Sequence, residues 1–135
     1  MDKKRSDCPI SCSLDIIGDK WSLLIIRDVM LRGKMSYSEF LNSEERIATN
    51  ILVSRLSILE GEGILVKDVS PVNKSKYIYS LTQKGADLLP LVIELMDWGA
   101  KYNKNCPRKE LGQRIKKDKA AVVRELSEVL KNRVK

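Results

Sequence analysis

The spacing of apolar residues changes twice along this chain of 135 residues. Before Gly63, apolar side chains recur three and four positions apart, as they do on one face of a helix. After Gly63 come two short runs, ILVKDVS and YIYSLT, which are rich in β-branched and aromatic residues and are separated by the polar turn PVNKSK. From Thr82 the helical spacing returns. This order predicts a mainly α fold with one small β-hairpin (α+β).

Four helices are expected before the hairpin, over residues 9–17, 19–33, 36–41 and 49–62. The first should have Cys8 as its cap and end at Gly18. The second, between Asp19 as N-cap and Gly33 as C-cap, is apolar almost all round and should be the central buried helix. In the fourth, a stripe of leucines at positions 52, 56 and 59 should face the core and leave its polar residues outside.

After the hairpin, residues 82–102 predict one long helix that starts at Thr82 and has a broad apolar face. Pro90 is expected to bend this helix without ending it. A last helix is expected over about residues 111–134, with one apolar side formed by Ile115, Val122, Leu126, Val129 and Leu130.

We expect one domain, which residues 1–104 form, followed by a basic helical extension over residues 105–135. Residues 101–135 carry 12 basic and 4 acidic side chains, whereas residues 1–100 carry 13 and 14, so the net charge of +7 comes from the tail. The tail is either a partly packed or frayed extension or a functional arm.

Composition excludes several classes of protein. The chain has no histidine, which removes the commonest general base and metal ligand, so no catalytic residue, metal site or cofactor is expected. Its three cysteines show no paired spacing and are expected to be reduced. The longest apolar run, residues 23–26, is too short to cross a membrane. These features predict a cytoplasmic protein without a membrane segment.

Three short helices followed by a hairpin with a cationic tip are typical of a winged helix-turn-helix, whose third helix enters the major groove of double-stranded DNA. The wing would then reach the DNA backbone or the minor groove. Short polar and cationic side chains at these positions can approach base edges and phosphates. The candidate DNA-binding residues are Ser36, Ser38, Arg46, Thr49, Asn50, Val53, Ser54, Arg55, Ser57, Lys74 and Lys76.

Three stretches of the chain carry a resemblance: CPISCSLDIIGDKWSLLIIRDV, LVSRLSILEGEGIL and YSLTQKG followed by LLPLVIELMDWG. They resemble the HxlR-type winged helix regulators, bacterial relatives of the MarR group, over about residues 8–102. The resemblance implies a homodimer, built from the N-terminal helix and the long helix with Leu88 to Trp98, that reads DNA through the helix around Asn50. Where the family has Ser-Pro, this chain has Ala48-Thr49, so Thr49 either caps the reading helix or occupies its first turn. The wing also lacks the family's central proline.

Cys8 lies at a predicted helix start, close in sequence to Lys3, Lys4 and Arg5. A helix N-terminus and nearby cations both favour the reactive thiolate. Some members of the resembling family sense oxidants through a cysteine at this position, so Cys8 is a candidate redox sensor, and an inert, packed thiol is the alternative. Cys106, which also precedes a proline among basic residues, is a second candidate.

Two other functions remain open from the sequence. Because residues 1–100 are close to neutral, the winged helix could instead bind a protein partner and no DNA. A thiol enzyme is poorly supported, since no histidine is present to activate a cysteine.

Overall fold

A computed structural model describes residues 4–135. It contains eight helices and one antiparallel hairpin within that range. In chain order the elements are α1 (Pro9–Ile17), α2 (Ser22–Arg32), α3 (Tyr37–Leu41), α4 (Thr49–Gly61), β1 (Leu65–Val69), β2 (Tyr77–Leu81), α5 (Gln83–Ala86), α6 (Leu89–Tyr102), α7 (Glu110–Lys117) and α8 (Lys119–Lys131). The predicted fold class, a mainly helical winged helix-turn-helix, is confirmed. No helix within residues 4–135 is long and apolar enough to cross a bilayer.

Three of the four expected ends of the first two helices are observed, but α2 begins at Ser22, with Trp21 at the cap position where Asp19 was expected. Cys8 and Gly18 flank α1, whose first residue is Pro9. The Asp19 carboxylate accepts hydrogen bonds from the backbone N–H groups of Trp21 and Ser22 at 2.8 and 2.9 Å, which satisfies free donors at the start of α2. At its other end Gly33 adopts a φ of 65°, the left-handed conformation that closes helices.

The hydrophobic core lies between α2, α4, the hairpin and α6. Ile26 of α2, Leu52 and Leu59 of α4 and Ile93 of α6 are completely buried. The predicted leucine stripe of α4 is therefore the core face of that helix. It leaves the opposite side of α4 exposed, next to the hairpin.

The hairpin pairs Leu65 with Leu81 at its base and Val69 with Tyr77 near its tip. Ser36, just before α3, forms a further bridge with Ile78. In the connecting loop, the Asn73 side chain accepts hydrogen bonds from the backbone N–H and hydroxyl of Ser75, which hold the turn at the tip in shape.

The expectation that Pro90 bends one long helix without ending it is wrong. The chain forms a single turn, α5, and restarts as α6, in which Pro90 is the second residue. Proline has no N–H to donate, and its ring collides with the carbonyl four residues earlier, here that of Ala86. The Leu88 N–H bonds instead to Gly85, a tighter turn that separates the two helices.

The single helix expected over residues 111–134 is also wrong, because the chain breaks at Asp118. That residue leaves the helical conformation at φ −156° and caps α8 by accepting from the Ala121 N–H. Ile115, Val122 and Leu130 join the hydrophobic core, whereas Val129, which was expected on the same side, is 44% exposed. The tail is thus packed on the body of the protein and is not frayed.

Candidate DNA-binding surface

The exposed side of α4 presents the side chains that the sequence predicted for base contacts. Asn50, Val53, Ser54 and Ser57 are all exposed on this side. They lie opposite the buried leucine stripe, which fixes the rotation of the helix about its axis. With 13 residues the helix is about 20 Å long, which suits insertion into a major groove.

Thr49 occupies the first turn of α4 and does not cap it. Ala48 stands at the cap position in extended conformation, and no side chain accepts from the first N–H groups. Thr49 and Asn50 are exposed, so these donors face solvent. Unsatisfied N–H groups at a helix start are suited to a phosphate oxygen.

The start of α3 lies beside this surface. The Ser36 hydroxyl accepts from the Glu39 N–H at 3.3 Å and the Glu39 carboxylate accepts from the Ser36 N–H, a complete capping box. Ser38 follows on the same turn and is exposed. Ser36 therefore has a structural role in addition to the predicted contact, whereas Ser38 is available to a ligand.

A cleft of about 590 Å³ separates α3 and α4 from the hairpin. Five of the predicted DNA-binding residues line it together: Ser36, Ser38, Val53, Ser57 and Lys76. The other lining residues are Tyr37, Leu56, Glu60, Lys67, Ser75, Tyr77 and Tyr79. Residues far apart in the chain thus meet on one face of the molecule.

The tip of the wing carries one residue that the sequence analysis missed. Lys74 and Lys76 are exposed there, as expected. Between them and β1, Val72 is 93% exposed, the most exposed large apolar residue within residues 4–135. The sequence contains a sign of this exposed residue, because Val72 is an apolar residue inside the otherwise polar turn PVNKSK. Its position would let it contact a minor groove or the edge of a sugar.

Arg55 does not join the surface that was predicted for it. Its guanidinium is half-buried, and Nε lies 3.4 Å from the Asp19 carboxylate, in ion-pair contact but without hydrogen-bond geometry. Burial would raise the pKa of Asp19, but hydrogen bonds from Ser22 and Trp21 and the charge of Arg55 outweigh it and lower that pKa. Arg55 therefore ties α4 to the corner between α1 and α2.

The turn between α3 and α4 is held by ion pairs with α2. Arg27 donates two hydrogen bonds of 2.8 Å to the Glu45 carboxylate, which lowers the pKa of Glu45 to about 2. The Ser43 hydroxyl donates to buried Asp28 at 2.5 Å and accepts from Lys34 at 2.7 Å. These contacts fix the angle at which α4 leaves the body of the protein.

Arg46, the predicted site residue in this turn, is exposed and has a backbone φ of 56°. It is the only residue other than glycine within residues 4–135 with a positive φ. The left-handed conformation turns the chain into α4 directly before Ile47, which is buried.

Both candidate sensor thiols, Cys8 and Cys106, are exposed within the single chain. Hydrogen bonds from the N–H groups of Ser11 and Ile10 at the start of α1 lower the pKa of the Cys8 thiol. The cationic neighbours are paired elsewhere: Lys4 contacts Asp7, and Arg5 contacts Asp15, each within 2.8 Å. Lys3 lies outside the described residues. The helix start is therefore the cause of the shift.

Large apolar side chains are exposed on α1 and on one side of α6. Ile10 and Leu14 of α1 are 71% and 51% exposed, and Trp98 and Tyr102 of α6 are 67% and 66% exposed. Leu91 and Leu95 continue the same side of α6. Within its own chain α1 buries only Ile17, so both faces lack a partner among residues 4–135.

Residues 16–107 match the profile of a family described as HxlR-like helix-turn-helix. Over 107 residues the chain is 32% identical to YdeP of Bacillus subtilis (strain 168), which is named as an uncharacterized HTH-type transcriptional regulator; the match spans 79% of this chain and 83% of YdeP.

Two solved structures are similar as well. The redox regulator HypR in its oxidized form is 33% identical, with a TM-score of 0.64, over 72% of this chain and 99% of that one. The reduced form of the transcriptional regulator YodB from B. subtilis is 28% identical, with a TM-score of 0.58, over 74% and 98%. The relatives reported are regulators and not enzymes. This chain is thus a helix-turn-helix transcription regulator and belongs to the HxlR-like helix-turn-helix family.

Proposed function

We propose that the protein regulates transcription by binding a specific sequence of double-stranded DNA as a homodimer. The observation that carries this proposal is the convergence of polar side chains from α3, α4 and the wing on one face. The exposed side of α4 would lie in the major groove, and the wing would follow the adjacent backbone.

The residues divide into two groups by the contacts they can make. Asn50, Val53, Ser54 and Ser57 project from the first two and a half turns of α4 and would contact base edges. Ser38, Arg46, Thr49, Lys74 and Lys76 lie at the ends of elements and would contact phosphates. Ser36 and Arg55 would act by holding α3 and α4 in place.

The two groups predict different binding defects. With DNA from the region upstream of the gene, Asn50→Ala should lower affinity for that sequence and leave non-specific binding almost unchanged. Lys76→Gln should weaken binding to every duplex and reduce the salt slope by about one. Lys101→Gln, at the far end of α6, is the control. If Asn50→Ala lowered the affinity for every DNA sequence equally, the proposal that α4 contacts base edges would be contradicted.

We assign the homodimer contact to the exposed apolar sides of α1 and α6. Apolar faces of this kind usually mark an interface, and a two-fold axis would bury each against its copy. Two reading helices would then be presented to half-sites about 34 Å apart.

Sedimentation equilibrium tests the dimer. Wild-type protein should have twice the monomer mass of 15.4 kDa. Trp98→Glu should shift it toward monomer, because a charge would be buried without a partner. Val129→Glu, at an exposed apolar position on α8, should leave the dimer intact. Monomeric wild type at micromolar concentration would contradict the assignment.

We further propose that oxidation of Cys8 and Cys106 changes DNA affinity. Both thiols are exposed, the pKa of Cys8 is lowered, and the similar structure of HypR is described as that of a redox regulator. Diamide takes two electrons and two protons from a pair of thiols, which become a disulfide.

DNA binding by reduced and diamide-treated protein tests this step. Since Cys8 of one protomer would pair with Cys106 of its partner, Cys8→Ser and Cys106→Ser should each abolish the response. The disulfide-linked dimer on a non-reducing gel should disappear with it. Cys12→Ser, whose half-buried thiol donates to the Ser6 carbonyl, is the matched control. An unchanged response in Cys8→Ser would refute the sensor.

A further inference from the structure

The cleft between α4 and the wing has the size and lining of a small-molecule site. Its volume of about 590 Å³ falls in the range of ligand pockets, roughly 300–1,000 Å³. Three aromatic side chains, Tyr37, Tyr77 and Tyr79, line it together with the aliphatic groups of Val53 and Leu56. Such walls suit a planar, mostly apolar ligand.

Two lysine side chains make the cleft favour an anionic ligand. Lys67 and Lys76 both line it, and neither forms an ion pair with any residue in the range 4–135. The Lys67 ammonium lies 4.2 Å from the centre of the Tyr77 ring. Glu60 is the one acidic lining residue, so the lining has a net positive charge.

Hydroxyl groups complete the polar part of the lining. Ser38 and Ser57 are exposed at the cleft and can donate to an anionic oxygen. Tyr79 is 8% exposed, and burial raises the pKa of its hydroxyl, which therefore stays protonated at neutral pH and able to donate. Register places Lys67 directly opposite Tyr79 on the hairpin, so cation and ring share one face.

We infer that this cleft binds a small planar aromatic monoanion, with the ring between the tyrosines and the acid group at Lys67 and Lys76. Four residues of the lining, Ser38, Val53, Ser57 and Lys76, belong to the proposed DNA contacts, so ligand and DNA would exclude one another. The ligand would regulate DNA binding by occupying part of the DNA-binding surface, and this regulation would not depend on a cysteine. This competition rests on the proposed DNA-binding function, whereas ligand binding does not.

Calorimetric titration of the reduced full-length Cys8→Ser protein with 2-naphthoate tests the site, because covalent attack on Cys8 is then excluded. We expect saturable binding that 2-naphthamide, the uncharged analogue, does not reproduce. Lys67→Gln should weaken binding about tenfold, the value of a hydrogen bond to a charged group. Lys101→Gln should leave binding unchanged.

A second measurement separates this inference from the DNA-binding proposal. Anisotropy of labelled duplex is followed at rising 2-naphthoate, with duplex alone giving the baseline. A competitive rise in the apparent Kd for DNA supports the inference. Tight DNA binding together with no saturable binding of naphthoate, or equal binding by Lys67→Gln, overturns it. Saturable naphthoate binding without DNA binding would instead retain the site and refute the regulator.

Discussion

Arg46 has a φ of 56°, in the region where a Cβ is crowded by the following carbonyl oxygen. Glycine has no such penalty, so Arg46→Gly should be more stable than Arg46→Ala, by about 1 kcal/mol. Both variants lose the same guanidinium and should lose the same DNA affinity. Urea denaturation and DNA titration of the two variants separate backbone strain from charge. An alanine variant as stable as the glycine variant would argue against strain in the turn.

Gly85 lies at the corner between the wing and α5. A Cβ added there would meet the backbone oxygen of Ile64 and lie 2.8 Å from Leu81 Cδ2. We expect Gly85→Ala to destabilise the fold by about 1–3 kcal/mol, since backbone must shift. Gly61 at the end of α4 has open space around its Cβ, so Gly61→Ala should be neutral or stabilising by about 0.5 kcal/mol. Thermal denaturation of the pair measures the difference.

At the scale of elements, local signals predicted helix ends well. Gly18, Gly33 and Thr82 mark helix ends where the sequence placed them, because capping depends on neighbours within four residues. Asp19 accepts from the first N–H groups of α2 but lies outside the cap position. The helix breaks near Pro90 and at Asp118 were not predicted, although each is also caused by neighbouring residues. The apolar pattern continues across each, and periodicity does not reveal that the chain restarts with a new axis.

Contacts between elements were beyond sequence reasoning. Arg55 was predicted to face phosphate but pairs with Asp19, 36 positions away. Lys67, Tyr77 and Tyr79 line the cleft because hairpin register places them on the face toward α4, and register follows from tertiary packing. The exposed residues of α4 were identified, since a buried leucine stripe determines the opposite side.

The ion pair that holds the helix-turn-helix turn to α2 predicts a pH dependence. A carboxyl whose pKa is depressed by folding adds stability above its usual pKa, and this stability is lost as pH falls through the folded value. For Glu45 this window runs from 4.5 down to about 2. The stability advantage of wild type over Glu45→Gln should shrink across it. A difference that stays constant from pH 6 to 2 would show that Glu45 has no coupling to Arg27.

At the scale of the whole molecule, the C-terminal helices are part of one core. Arg108 contacts Asp97 of α6 at 2.8 Å, and the Arg133 guanidinium donates to the Val29 carbonyl at 2.8 Å. Lys119 pairs with both Glu94 and Asp97. Part of the basic charge of the tail is thus used within the fold, and α7 and α8 cover the side of α6 that the proposed dimer leaves free.

Neighbouring residues of α8 test this integration. Leu130 is 2% exposed and Val129 is 44% exposed. Leu130→Ala should cost about 2–4 kcal/mol, as for a buried leucine in a core. Val129→Ala should cost less than about 1 kcal/mol. Chemical denaturation of the two variants measures their free energies of unfolding. Equally small losses of stability in Leu130→Ala and Val129→Ala would contradict a packed tail.

The measurement that tests the regulator most directly is fluorescence anisotropy of reduced protein with labelled DNA from the gene's own upstream region. Unrelated duplex of equal length is the control, and both are titrated at about 50 and 200 mM salt. We predict tight, selective binding whose affinity falls steeply with salt, by about 10³-fold or more if six phosphates are contacted per duplex. Equal affinity for both duplexes, or no binding at either salt concentration, would contradict sequence-specific regulation and favour a winged helix that binds a protein partner.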